Sequence, residues 1–168
     1  MRREFALVAL LCVAATSWAQ LIDPDPDWKE SEVPPPPQLR TANLVTFEVA
    51  GGSELRFGID PQSVGIGADR VVRYVVVASS RSGAMNALYE GLRCDRGEYR
   101  IYARHNGQGW REVETEWKSL FEGVEARHVR ALAQSGACHG RIPNVSPEQI
   151  VRDLGTPMER KFGGSSAP

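Results

Sequence analysis

No apolar run in this sequence is long enough to cross a membrane: the longest, Phe5 to Ala15, has eleven residues, where a spanning helix needs roughly 20. Cysteine is scarce as well, with three in the whole chain. No C-x2-C or H-x3-H pair exists, and Cys138 and His139 are adjacent, a poor arrangement for two ligands of one ion, so zinc is not expected from His105, His128, His139 or the cysteines. A G-x-S-x-G nucleophile elbow is missing, and Ser79, Ser80 and Ser82 lie in a turn without a sign of activation. Gly65-Ile66-Gly67 has the start of a nucleotide loop, but Arg70 stands where the third glycine belongs and a strand follows it, which excludes that motif. No internal repeat is visible. No cofactor, metal or nucleic-acid partner is therefore expected.

What is present begins with compartment. Arg2 and Arg3 precede the apolar run, and Ser17-Trp18-Ala19 puts small residues at the −3 and −1 positions of a cleavage site, so residues 1–19 read as a secretory signal peptide. Leu11 before Cys12 disfavours lipid attachment there. The mature chain carries 18 basic and 20 acidic side chains and keeps two cysteines, Cys94 and Cys138. In an oxidising compartment two thiols have a single intramolecular pairing open to them, and a Cys94–Cys138 disulfide is expected. The reading is a periplasmic protein, with outer-membrane association as an open extension.

Charge is unevenly spread: residues 23–69 hold nine acids and three bases, residues 70–111 hold eight arginines and three acids. Residues 20–41, from Asp23-Pro24-Asp25-Pro26-Asp27 to Pro34-Pro35-Pro36-Pro37, are acidic and proline-rich with almost nothing apolar, and are expected to run as an extended spacer. Residues 42–155 then read as one domain and 156–168 as a flexible tail.

Within the domain, Val45, Phe47 and Val49 alternate with Thr46 and Glu48, Gly51-Gly52 turns the chain, and Leu55, Phe57 and Ile59 resume the alternation, which predicts a hairpin. Val71 to Ala78 is apolar on both faces apart from Arg73, the pattern of a central strand covered on its second side by a helix. Ala87–Cys94 and Glu98–Arg104 follow as antiparallel neighbours, with a last strand over Trp110–Trp117. Val124–Gln134, ended by Gly136, reads as a helix with Val129, Leu132 and Ala133 on its apolar stripe. Ser146-Pro147-Glu148-Gln149 caps a second, with Ile150, Val151 and Leu154 inward and Gly155 as its stop. The fold class is α+β: an antiparallel sheet of about six strands with two C-terminal helices packed on it.

Leu55-Arg56-Phe57-Gly58-Ile59-Asp60, Val71-Val72-Arg73-Tyr74, and Tyr89-Glu90-Gly91-Leu92-Arg93-Cys94 followed by Gly97-Glu98-Tyr99-Arg100 resemble, in this order, the CNP1-like family, over roughly residues 45–154. The resemblance implies an exported envelope protein of proteobacteria and brings no functional residues with it.

Two groups remain as candidate sites. Glu90 shares a strand face with Leu88, Leu92 and Cys94, where an unpaired carboxylate is costly, so it needs a partner such as Arg73. Arg93, Arg100, Tyr102 and Arg104 read as one solvent-facing basic surface for an anionic glycan, a glycolipid or an acidic envelope protein. The expected role is thus non-catalytic, structural or ligand-binding. The alternative is a periplasmic enzyme acting on cell-wall or carbohydrate substrate, in which Glu90 and Asp60 or Asp69 would be the paired carboxylates.

Overall fold

The computed structural model describes residues 25–51 and 53–156; the signal-peptide reading and nearly all of the tail lie outside these residues. The main sheet is antiparallel, in the order β1 (Val45–Phe47), β2 (Arg56–Ile59), β4 (Val72–Ser79), β5 (Met85–Arg93), β6 (Glu98–His105) and β7 (Trp110–Glu112). Two short pieces, β3 (Gly65–Ile66) and β8 (Lys118–Ser119), pair with β4 and β6. Every pairing in the main sheet is antiparallel.

The alternation of β4 sorts the core. Val72, Tyr74 and Val76 join Ile59, Leu92, Val129, Leu132, Ile150 and Leu154 in one apolar cluster, and Val75 and Val77 join Ala87, Tyr89, Tyr102 and Ala103 in another. The first cluster is the layer between sheet and helices: α1 (Arg127–Leu132) and α2 (Pro147–Leu154) both press their apolar stripes into it. Ser146 caps α2 by accepting from the Gln149 amide at 3.2 Å, with Pro147 in the first turn.

The predicted first helix is shorter than its sequence span, since a π-type turn, Ala133–Ala137, follows α1 directly. Gly136 adopts φ 141° there, and a Cβ on it would stand 2.5 Å from the Cβ of Asp153, so only glycine lets the turn lie against α2. The turn delivers the chain to a small ribbon of β9 (Cys138–His139) and β10 (Ile142–Pro143). Asn144 fixes it by donating to the Gly136 carbonyl at 2.7 Å and to Asp153 at 2.8 Å. The Cys94–Cys138 disulfide joins the end of β5 to β9, with Cα atoms 5.7 Å apart.

Three expectations are corrected. The strand expected over Trp110–Trp117 ends at Glu112, and β8 follows at the opposite end of β6; between them the Val113 amide donates to the Tyr102 carbonyl at 2.9 Å, and the Thr115 hydroxyl accepts from the Ile101 amide at 3.2 Å and donates to its carbonyl at 2.8 Å. The second face of β4 is covered not by a helix but by the proline-rich segment, whose Val33 and Leu39 pack on the cluster of Val75, Val77 and Tyr89. That segment is extended, as its prolines require, yet its described part is a strap bound to the sheet rather than a free spacer. The Trp28 indole donates to the Asp69 carbonyl at 3.0 Å and the Trp110 indole to the Pro37 carbonyl at 2.7 Å, so both ends of the strap are fastened.

Candidate functional site

Glu90 is fully buried on the helix side of β5, and its partners are not the expected one. Residues opposite one another on paired strands point the same way, and Arg73 lies opposite Gly91, which puts its side chain on the strap side of the sheet. Glu90 instead accepts from the Tyr74 hydroxyl at 3.0 Å and lies 3.0 and 3.1 Å from the His128 Nε2 through its two oxygens. Phe57 stacks on the imidazole, with ring centroids 5.2 Å apart and planes within 5°. Burial alone would push the His128 proton off; the Glu90 charge and hydrogen bond outweigh it and hold the imidazole above its ordinary value. Tyr74 is pushed well up, first by burial and then by the Glu90 charge. The result is a closed ion pair in the core, with His128 buried.

The other two carboxylates of the enzymatic alternative are also spent, and not beside Glu90. Asp60 accepts from the Gln62 amide at 3.0 Å and pairs with Arg40 at 3.2 Å. Asp69 takes both terminal nitrogens of Arg73, at 3.1 and 2.7 Å, on the strap side of the sheet, opposite to the Glu90 side.

The basic surface is brought together only in part. Arg73, Arg100 and Tyr102 converge on Glu30 of the strap: Arg100 at 2.9 Å, Arg73 at 3.4 Å, and the Tyr102 hydroxyl donating in a short hydrogen bond. Burial first, then the bond to Glu30, pushes the Tyr102 hydroxyl far up. Arg93 is buried against the Trp28 ring, its guanidinium carbon 3.5 Å from the centroid, and pairs with Asp95 at 3.0 Å and Glu98 at 3.6 Å. Such stacking and pairing suits a guanidinium far better than an ammonium. Arg104 leaves the group. A β-bulge between Tyr89 and Glu90 lets the β6 register slip by one, so that Arg104 lies opposite Leu88 and points to the helix side. The expected solvent-facing cation surface is therefore split: Arg100 and Tyr102 are closed against Glu30 of the strap, Arg93 against Trp28, Asp95 and Glu98, and Arg104 lies on the other face.

Gly91 makes room for the Tyr102–Glu30 contact, because a Cβ there would stand 2.2 Å from the Tyr102 hydroxyl. Gly91→Ala should push Tyr102 off Glu30 and destabilise the domain by about 1–3 kcal/mol. Thermal melting would register the loss, and limited proteolysis should cut the strap between residues 28 and 40 sooner. Wild-type melting and wild-type protection together would show that Tyr102 does not hold the strap.

One further feature has no counterpart in the sequence reading: a cavity of about 650 Å³ beside the disulfide. Leu120, Phe121, Ala133 and the Cys94–Cys138 bond form its apolar wall, and Arg96, Arg130 and Arg141 line it as well. The Arg130 Nε donates to the Leu120 carbonyl at 2.9 Å and the Arg141 Nε to the Asp95 carbonyl at 3.1 Å. Neither these two nor Arg96 forms a salt bridge among the described residues. The three arginines come from the β5–β6 turn, α1 and the β9–β10 turn, too scattered along the chain for any local motif. Among the described residues, no cluster of three or more His, Cys, Asp or Glu could hold a metal ion, and no helix is long and apolar enough to span a membrane.

The class defined so far is an α+β domain whose antiparallel sheet carries two helices on one face and an acidic strap on the other, with a disulfide closing one end. The family model of the CNP1-like family matches residues 23–155, and the chain belongs to that family. The matched span takes in the strap as well as the sheet and helices. No curated protein and no solved structure matched the chain.

Proposed function

We propose that this protein is exported and serves in the cell envelope without catalysis, by binding an anionic envelope component at the disulfide-closed end of its sheet. One observation carries the reading. The carboxylates a hydrolase would need are each closed into an internal pair, whereas the cavity beside the disulfide is lined by apolar residues and arginines, which recognise rather than react. The disulfide and the signal-like first 19 residues support the compartment. The anionic class expected from the sequence is kept, but its seat moves from Arg93 and Arg100, which the strap and its neighbours occupy, to Arg96, Arg130 and Arg141.

Fractionation of the native cell tests the location: release with the periplasmic contents is expected, with Gln20 as first residue and both remaining cysteines oxidised. Immobilised mature protein should also retain anionic envelope material in a salt-sensitive way. An intact leader, free thiols, or retention indifferent to salt would each overturn part of the reading. Release of sugar or peptide from cell wall by the pure protein, abolished in Glu90→Gln, would replace it with the enzymatic alternative.

A further inference from the structure

We propose that the cavity beside the disulfide is a binding site for a phosphate-headed, single-chain acyl lipid. The inference rests on the binding reading above and gives it a ligand. The wall of Leu120, Phe121, Ala133 and the disulfide offers carbon and sulfur surface, which an acyl chain covers without leaving a polar group unpaired. Its volume, about 650 Å³, falls inside the range of ligand pockets, roughly 300–1,000 Å³. Phe121 leaves 73% of its surface exposed at this wall, an apolar side chain in water that a bound chain would cover.

The charged part of the cavity selects the head group. Three arginines and one acid, Asp95, line the cavity, and the carboxylate of Asp95 is already engaged by Arg93 at 3.0 Å. The surplus is cationic. A phosphate monoester brings a charge of about −1.5 to −2 and three acceptor oxygens, which matches three guanidinium groups where a single carboxylate would leave donors unused. The Nε atoms of Arg130 and Arg141 are tied to backbone carbonyls, so their forks are held in place before any ligand arrives, and less freedom is lost on binding.

Calorimetric titration of the oxidised mature protein with myristoyl lysophosphatidate, kept below its micellar concentration, tests the site. Saturable binding with one lipid per protein is expected. Glycerol 3-phosphate, myristate and the zwitterionic myristoyl lysophosphatidylcholine should each bind at least about tenfold more weakly. The paired reversal Arg96→Glu and Arg141→Glu should abolish binding; both side chains are exposed, so the melting temperature should stay at the wild-type value. Phe121→Ser should weaken lysophosphatidate and leave glycerol 3-phosphate unchanged. Absence of lysophosphatidate binding overturns the proposal, as does equal binding by the reversal variant. Equal affinity for glycerol 3-phosphate would make the cavity a plain anion site, for myristate a carboxylate site, and for the choline lipid an unselective apolar groove; each of these also overturns it. Cell fractionation and oxidation state are read without lipid, so failure here leaves the envelope assignment untouched, and failure there leaves the lipid titration valid.

Discussion

Replacing both cysteines, Cys94→Ala with Cys138→Ala, should lower the stability of the domain by about 4 kcal/mol, the chain-entropy value for a loop of this length. The bond spans a sequence separation of 44 residues, and that loop contains β6, β7, β8 and α1. Unfolded, a chain without the bond gains the freedom of the whole loop; folded, it loses little, because Leu120, Val129 and Leu132 still pack on the sheet. The melting temperature should drop by roughly 10–20 °C. The damage should also be uneven. The bond is the covalent tie between sheet and helical layer, so hydrogen exchange should quicken first in α1, the π-type turn and α2, while the β4 and β5 amides keep their protection. A double variant that melts with the wild type would show that apolar packing alone fastens the helices.

Glu90→Gln should cost about 3 kcal/mol, the lower end of what removing one partner of a buried pair costs, because the stranded imidazole can shed its proton. That corresponds to a melting point lower by about 10–15 °C. The pH dependence discriminates better than the magnitude. In the wild type the His128 imidazole is held above its unfolded value of 6.5, so its contribution is complete below that pH and is lost as pH rises through the raised value. Without the carboxylate, burial, the largest single effect on His128, is opposed only by the hydrogen bond to the Glu125 backbone and should lower the imidazole, so in Glu90→Gln the contribution should be present above 6.5 and lost as pH falls. The slope of melting temperature against pH attributable to this site should therefore change sign. Glu90→Leu should be worse than Glu90→Gln, since it strands the Tyr74 hydroxyl as well. If Glu90→Gln melts like the wild type with the same slope at every pH, the pair does not anchor the core.

The charge distribution already held a sign of the strap. An acidic stretch ahead of an arginine-rich middle is what a chain looks like when one part neutralises the other, and Trp28 was the apolar residue in that stretch able to cover a guanidinium. Composition by itself pointed the other way, because few apolar residues commonly means little to bury. Glu30 shows why that inference failed: three partners from β4 and β6 supply by charge and hydrogen bonding what hydrophobic area could not. The need of Glu90 for a partner was legible from period-2 alternation, but its partner was not, since His128 sits on a short helix 38 residues away and nothing local marks it as inward.

Alternation, turn residues and caps determined the main strands and the two helices, because each of these depends on the chemistry of near neighbours, and the count of two cysteines expected in the mature chain left one pairing open to them. The tertiary structure alone decided which arginines would be buried, which carboxylates would be closed off and where three arginines would share a cavity. One slipped residue in β6 turned Arg104 to the opposite face, and the fold drew Arg96, Arg130 and Arg141 together from three separate elements. Coulombic and packing partners are chosen by distance in space, which no spacing along the chain encodes.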